Sequence, residues 1–201
     1  MDIQATAIPD VKVITPARYG DHRGFFSEVY NRQALAEAGI DVEFIQDNHS
    51  FSAQRGTLRG LHFQRPPATQ TKLVRVLRGA VVDVAVDCRL GSPTFGAHVM
   101  VELSAATGNQ ILCPKGFAHA ILTMAPDTEI TYKVDAYYAP NRDLGVRFDD
   151  PDLAIPWPIP KSQVVLSDKD RNLPWFRDLP AVFSYPRSFN EGRTFPWSAF
   201  S

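Results

Sequence analysis

Residues 72–88 read KLVRVLRGAVVDVAVDC, two strand-like runs, 72–79 and 80–88, that meet at Gly79. In the second run Val82, Val84 and Val86 recur at every second position, the period of a pleated strand and not of a helix. Similar runs lie on both sides. Before it come VKVIT (11–15), FFSEVY (25–30), VEFIQD (42–47) and TLRGLHFQ (57–64); after it come HVMVELS (98–104), NQILCP (109–114), AHAILTM (118–124) and EITYKVDAYY (129–138). One good helix interrupts them, RQALAEA, with Asn31 as its N-cap and Gly39 just past its end. Strands succeeding strands with so few helices predict a mostly β chain, a sandwich or barrel with a few short peripheral helices.

The 201 residues are 44% hydrophobic and 11% aromatic, enough for one sizeable core, so residues 1–201 read as a single domain. With 21 Lys and Arg against 22 Asp and Glu, the net charge of −1 offers no field to draw nucleic acid or an anionic membrane. Any phosphate must be met by a few local cations. The opening MDIQATAIPDVKVI lacks the basic and apolar segments of a signal peptide, and no stretch approaches ~18 apolar residues, which predicts a cytoplasmic protein. Cys88 and Cys113 stand in strand-like runs without CxxC spacing and read as buried free thiols. From Pro151 the proline-rich PDLAIPWPIPKS turns the chain irregular. The tail, about 174–201, has aromatics (Phe183, Tyr185, Phe189, Phe195, Trp197, Phe200) without a period, and is expected to lie across the domain or a partner chain.

Several runs place polar groups where a β domain ordinarily has apolar ones. Strict alternation in LRGLHFQ (58–64) sets Leu58, Gly60, His62 and Gln64 on one face and Arg59, Leu61 and Phe63 on the other. A lone strand glycine often marks a bulge, and a bulge at Gly60 would turn Arg59 and His62 toward one cavity. The plainer alternative is a hydrogen-bonded core histidine beside a surface arginine. Asp83 and Asp87 fall opposite the valines of their run, and a carboxylate there needs a partner, for which Lys72 or Arg75 is at hand. In EITYKVDAYY alternation places Tyr132 and Tyr138 on the same face.

PKGFAHA holds the pattern P-x-G-x-x-H at Pro114, Gly116 and His119, which resembles the second motif of the cupin barrels. Their first motif carries HxH and then a glutamate seven residues before a glycine. Here Lys72 stands seven residues before Gly79, and QRPPAT (64–69) has no histidine. An ammonium cannot ligate a cation, so the expectation is a metal-free barrel, in which Lys72 steadies a developing negative charge.

Taken together, these residues resemble the dTDP-4-dehydrorhamnose 3,5-epimerase family. The resemblance runs through AIPDV, GDHRGFFSEVYN, FIQDNHS, LRGLHFQ, KLVRVLRGAVVDVAVD, SPTFG, PKGFAHA, YKVDAYYAP and LSDKD, roughly residues 7–171. It implies a cupin-like jelly roll, assembled as a homodimer, that epimerises a dTDP-linked 4-keto-6-deoxy sugar at C3 and C5 with no metal and no organic cofactor. By the family pattern His62 is the base, Asp170 orients it, Tyr132 is the acid on the opposite face and Lys72 holds the enolate oxygen. The substrate contacts it implies are Arg23, Glu28, Gln46, Asp47, Asn48, Arg59, Lys72, His119 and Lys169. Asp143 stands where the family usually has glutamate, and Tyr138 where an aromatic stacks on thymine. Without the resemblance, Ser167 and Asp170 would read as a helix-capping pair. The alternatives are a mono-epimerase acting at C3 or C5 only and, from another class, a non-catalytic sugar-nucleotide-binding cupin. The presence of His62, Asp170, Lys72 and Tyr132 together disfavours the latter.

Overall fold

The computed structural model describes residues 1–185. In chain order its strands are β1 (Asp2–Ala5), β2 (Lys12–Thr15), β3 (Tyr19–Asp21), β4 (Gly24–Phe26), β5 (Gln46–Ser52), β6 (Leu58–Gln64), β7 (Lys72–Arg78) and β8 (Ala80–Asp87). They continue as β9 (Arg89–Leu90), β10 (His98–Ser104), β11 (Gln110–Cys113), β12 (Phe117–Thr123), β13 (Thr128–Val134), β14 (Asp143–Gly145) and β15 (Phe183–Ser184); the α-helices are α1 (Arg32–Glu37) and α2 (Asp168–Arg171). A six-stranded sheet, β1-β2-β11-β7-β13-β5, faces a five-stranded one, β10-β8-β12-β6-β14. Both are antiparallel throughout. This is the expected cupin-like β-sandwich.

The sequence of β8 explains how the layers stack. Val81 and Ala85 point inward against Val74, Val76, Ile111 and Ile130 of the facing sheet. Val82, Val84 and Val86 point outward, into a cluster with Val146 and Phe148 and with Leu153, Ile155 and Ile159 of the proline-rich segment. A strand buried on both faces needs apolar side chains on both, each stabilising the fold by about 1.5–3 kcal/mol when fully covered. A third cluster seals the outer face of the six-stranded sheet, where Leu35 of α1 meets Ile14, Leu73 and Leu112. That helix starts as expected: the Ala34 amide donates to the Asn31 side chain at 3.1 Å, a cap worth about 1 kcal/mol. Gly39, at φ +81°, takes the chain out of it.

Several runs settle differently from their sequence reading. Of VEFIQD only Gln46 and Asp47 are in a strand, which continues to Ser52 with a polar alternation that hydrophobic patterning does not register. FFSEVY pairs only over Gly24–Phe26, in a hairpin with β3 that leaves Tyr19, Phe25 and Phe26 exposed. EITYKVDAYY stops at Val134, because the Asp135 carboxylate leaves the ladder to accept from the Thr71 amide at 2.7 Å and to pair with Lys115. Tyr138 is therefore not on the strand face of Tyr132. Neither Lys72 nor Arg75 closes on the β8 carboxylates. Asp83 pairs with His119, and Asp87 accepts from Arg89, Ser92 and Thr94. Burial opposes the Asp87 charge, yet those hydrogen bonds bring its carboxyl down to about 2.

Cys88 and Cys113 are buried free thiols, as expected. Phe183 joins the core and Tyr185 packs under the Arg89 guanidinium; Phe189, Phe195, Trp197 and Phe200 lie outside the described residues. Among the described residues no helix is long and apolar enough to cross a membrane.

The feature that shapes the site is a register slip between β6 and β12. His119 stands opposite His62, but Ile121 stands opposite Arg59. Gly60 and Leu61 thus face Ala120 alone, which is a β-bulge. Gly60 has φ +128°, and a Cβ there would lie 2.6 Å from both the Ala120 Cβ and the His119 carbonyl oxygen. Gly60→Ala is therefore expected to destabilise the fold by about 2–5 kcal/mol, combining backbone strain and overpacking. Urea unfolding measures this directly, and an unchanged midpoint would mean that the bulge does not require glycine.

Candidate active site

Across the bulge the faces of β6 exchange. Leu58, Leu61 and Phe63 turn outward into the apolar cluster, while Arg59 and His62 both line a cavity of about 460 Å³ between the sheets. Lys72, His119, Tyr132, Lys169 and Asp170 share that cavity. Two residues along the neighbouring strands its wall turns apolar: His119 gives way to Ile121 and Tyr132 to Ile130.

His62 Nε2 lies 2.6 Å from Asp170 Oδ1. The Ser167 hydroxyl does accept from the Asp170 amide, so the capping reading holds for the backbone. The Asp170 side chain, however, goes to the imidazole. Burial works to raise its pKa, but the hydrogen bond and charge of His62 and the Ser167 hydroxyl outweigh burial and hold the carboxyl below its ordinary value. With Nε2–H given to that carboxylate, the Nδ1 lone pair of His62 is left for the cavity.

Tyr132 belongs to β13 of the six-stranded sheet and His62 to β6 of the five-stranded one, so the phenol and the imidazole approach the cavity from opposite walls. Burial raises the Tyr132 pKa, outweighing the nearby Arg59 charge, and keeps the phenol protonated. Lys72 is almost unsupported, since its Nζ reaches only the His62 carbonyl, at 3.5 Å. Burial pushes its ammonium below the ordinary lysine value against the opposing influence of Cys113, Asp83 and Asp143. Such a cation gains from any negative charge that forms beside it. Arg59 is aimed by Ser52 and the Phe51 carbonyl, at 3.4 and 3.1 Å.

An adjoining cavity of about 160 Å³ shares His62, Lys72 and Tyr132 and adds Gln46, Asn48, Tyr138 and Asp143. Asp143 accepts from the Tyr138 hydroxyl at 3.0 Å and from Lys169. Glu28 and Asp47 line a separate cavity with Arg75 and Lys133. Arg23 lines none of these cavities; its side chain is 78% exposed and paired only with Asp21. Ser50, Ser167 and the apolar Ile121, Ile130, Val165 and Leu166 line the main cavity without having been singled out from the sequence. The inward alternation of β5 could have found Ser50, but nothing in the sequence marks the apolar residues apart from core. Among the described residues no three His, Cys, Asp or Glu side chains gather as a metal ion would require.

The arrangement suits proton removal beside a carbonyl: a carboxylate-backed imidazole, a buried ammonium for the resulting enolate, and a protonated phenol across the cavity. Comparison with known proteins points the same way. Residues 5–178 match the family model described as dTDP-4-dehydrorhamnose 3,5-epimerase. A protein of that name from Sinorhizobium fredii is 49% identical over 185 residues, covering 92% of this chain and 94% of its own. The solved structure of a dTDP-6-deoxy-D-glucose-3,5-epimerase from Legionella pneumophila in complex with dTDP-4-keto-L-rhamnose superposes with a TM-score of 0.88 at 44% identity, covering 92% of this chain and 98% of that one. A dTDP-4-dehydrorhamnose 3,5-epimerase from Bacillus anthracis, with TDP and PPi bound, gives 0.84 at 49% identity, covering 87% of this chain and 98% of its own.

Proposed function

The chain belongs to the dTDP-4-dehydrorhamnose 3,5-epimerase family, and from that premise we propose that it converts dTDP-4-dehydro-6-deoxy-D-glucose to dTDP-4-dehydro-L-rhamnose by inverting C3 and C5. The observation that carries this reading is the placement of base and acid on opposite walls of one cavity with Lys72 beside them. The C4 ketone acidifies the hydrogens on C3 and C5. His62 removes one of them, and the electron pair moves onto O4, where Lys72 meets the enolate. An interaction that strengthens as charge develops lowers the barrier without tightening ground-state binding. Tyr132 then delivers a proton to the other face, which inverts the carbon. One dyad serves both carbons because they flank the same carbonyl.

Arg59 is suited to the diphosphate, and Tyr138, Gln46 and Asn48 to the nucleoside end. A homodimer accounts for Arg23 and for the exposed Tyr19, Phe25 and Phe26 of the β3–β4 hairpin, an apolar patch that a second copy would cover. Buried free thiols fit the reducing cytoplasm. We treat the chain as one catalytic domain that needs neither metal nor organic cofactor.

The test is incubation with dTDP-4-dehydro-6-deoxy-D-glucose in D₂O after exhaustive chelation, with deuterium located by NMR. Label at both C3 and C5 with inverted configuration is expected. Label at one carbon only would make the enzyme a mono-epimerase, and activity returning only with added metal would overturn the cofactor-free mechanism.

A further inference from the structure

The cavity holds a second histidine–carboxylate pair that the mechanism above does not use. His119 Nε2 lies 2.9 Å from each oxygen of Asp83. The two imidazoles are cross-strand neighbours, with His119 on β12 directly opposite His62 on β6. Each is backed through Nε2 by a carboxylate from a different element, Asp83 from β8 and Asp170 from α2. Their surroundings differ. The His62 side chain is 27% exposed and bonds a single carboxylate oxygen. His119 is 8% exposed, and Asp83, fully buried, has no hydrogen-bond donor other than His119 among the described residues.

Packing does not call for Asp83. Its neighbours on the inward face of β8, Val81 and Ala85, are apolar, and an apolar residue there would serve the core at least as well. A carboxylate in that position needs a close hydrogen-bonded partner, and the ring that lies 2.9 Å from both its oxygens supplies one. Asp83 also fixes which atom of the ring can act. With Nε2–H engaged, only Nδ1 remains, and it has no protein partner; it is nevertheless not a sealed, unsatisfied atom, because among the described residues only Arg65 Nε is in that state. Nδ1 of His119 therefore opens to the cavity that also contains Lys72.

We propose that Asp83 is a positioning residue that holds His119 as an imidazolium whose Nδ1–H donates, together with Lys72, to the oxyanion formed at C4. This rests on the epimerase reading above. The two dyads then divide the work: His62–Asp170 moves protons and His119–Asp83 holds charge. The two rings differ in their surroundings: His62 is the more open of the two, whereas His119 is enclosed and its carboxylate has no other donor among the described residues.

Two measurements decide it. In Asp83→Asn, which keeps the shape and removes the charge, kcat is expected to fall about 10- to 100-fold, since an oxyanion donor is typically worth 10²–10³ and Lys72 remains. KM should stay within about twofold, because the bond is made mainly in the transition state. In the wild-type protein, ¹⁵N NMR of labelled histidines, with His119 assigned through His119→Gln, should show both ring nitrogens of His119 protonated at neutral pH. An unchanged kcat in Asp83→Asn, or a rise in KM matching the fall in kcat, overturns the proposal. So does a neutral His119 ring in the spectrum, which remains decisive if the variant does not fold. A wild-type enzyme that leaves the sugar unlabelled in D₂O would refute the epimerase reading instead, and the ring's protonation would still be read independently.

Discussion

His62→Ala should lower turnover by about two to four orders of magnitude, the usual cost of removing a general base, and should abolish deuterium exchange at C3 and C5 together. The joint loss is the informative part. Of the two carboxylate-backed imidazoles that line the cavity, only His62 is assigned the base's role, so removing it leaves neither carbon with a base. The carboxylate behind His62 is poised to support it because its pKa is lowered. A lowered carboxyl contributes fully above its ordinary pKa near ~4, and its contribution fades as acid titrates it through the lowered value, so at neutral pH Asp170 is ionised and fixes the His62 tautomer. The substitution also leaves Asp170 buried without its partner, at a cost of about 1–3 kcal/mol. Circular dichroism should therefore accompany the NMR assay. Exchange persisting at either carbon in a folded His62→Ala protein would refute the single-base mechanism.

Tyr132→Phe separates exchange from inversion. The ring and strand remain, and only the hydroxyl is lost, so a defect reports proton delivery and not folding. His62 can still remove a proton and return one from its own side, so solvent deuterium should enter with retention of configuration. Inverted product, most clearly at C5, should fall by two or more orders of magnitude. Burial keeps the Tyr132 hydroxyl protonated, which is what a donor at neutral pH requires. NMR of the product mixture in D₂O, comparing label with configuration at each carbon, measures both outcomes. Inversion at C5 at near wild-type rate would pass the acid role to water or another side chain.

Much of the sandwich was legible because its strands are apolar. KLVRVLRG and AVVDVAVDC became β7 and β8 almost to the residue. Polar β5 was misplaced because its buried face is Gln46, Asn48, Ser50 and Ser52, which present no hydrophobic period. Gly60 raised the bulge as one reading, but a core histidine beside a surface arginine fitted LRGLHFQ more plainly, because a strand glycine does not by itself fix a register slip. The partner of Asp83 was not legible. Lys72 and Arg75 precede it on the adjoining run, whereas His119 comes 36 positions later and reaches it only through the β8–β12 ladder. Asp170 was legible only through the family resemblance, because Ser167 and Asp170 fit a helix cap equally well and α2 is in fact capped that way. Arg23 and Glu28 fall outside the main cavity, and only the family resemblance marked them.

The bulge on β6 also bears on which changes of chain length this protein could survive. On a regular strand the parity of a residue's number decides its side, and Gly60 reverses that parity for everything after it: Arg59 is odd and inward, His62 even and inward. Deleting one residue there would restore unbroken alternation and leave the hydrophobic count of the strand nearly unchanged. It would leave one outward residue between Arg59 and His62, so that His62 would still stand opposite His119 and the imidazole would stay in the cavity. The glycine is thus needed to accommodate one extra residue, and a homologous chain shortened by one residue between Arg59 and His62 would keep both side chains in the cavity without a bulge.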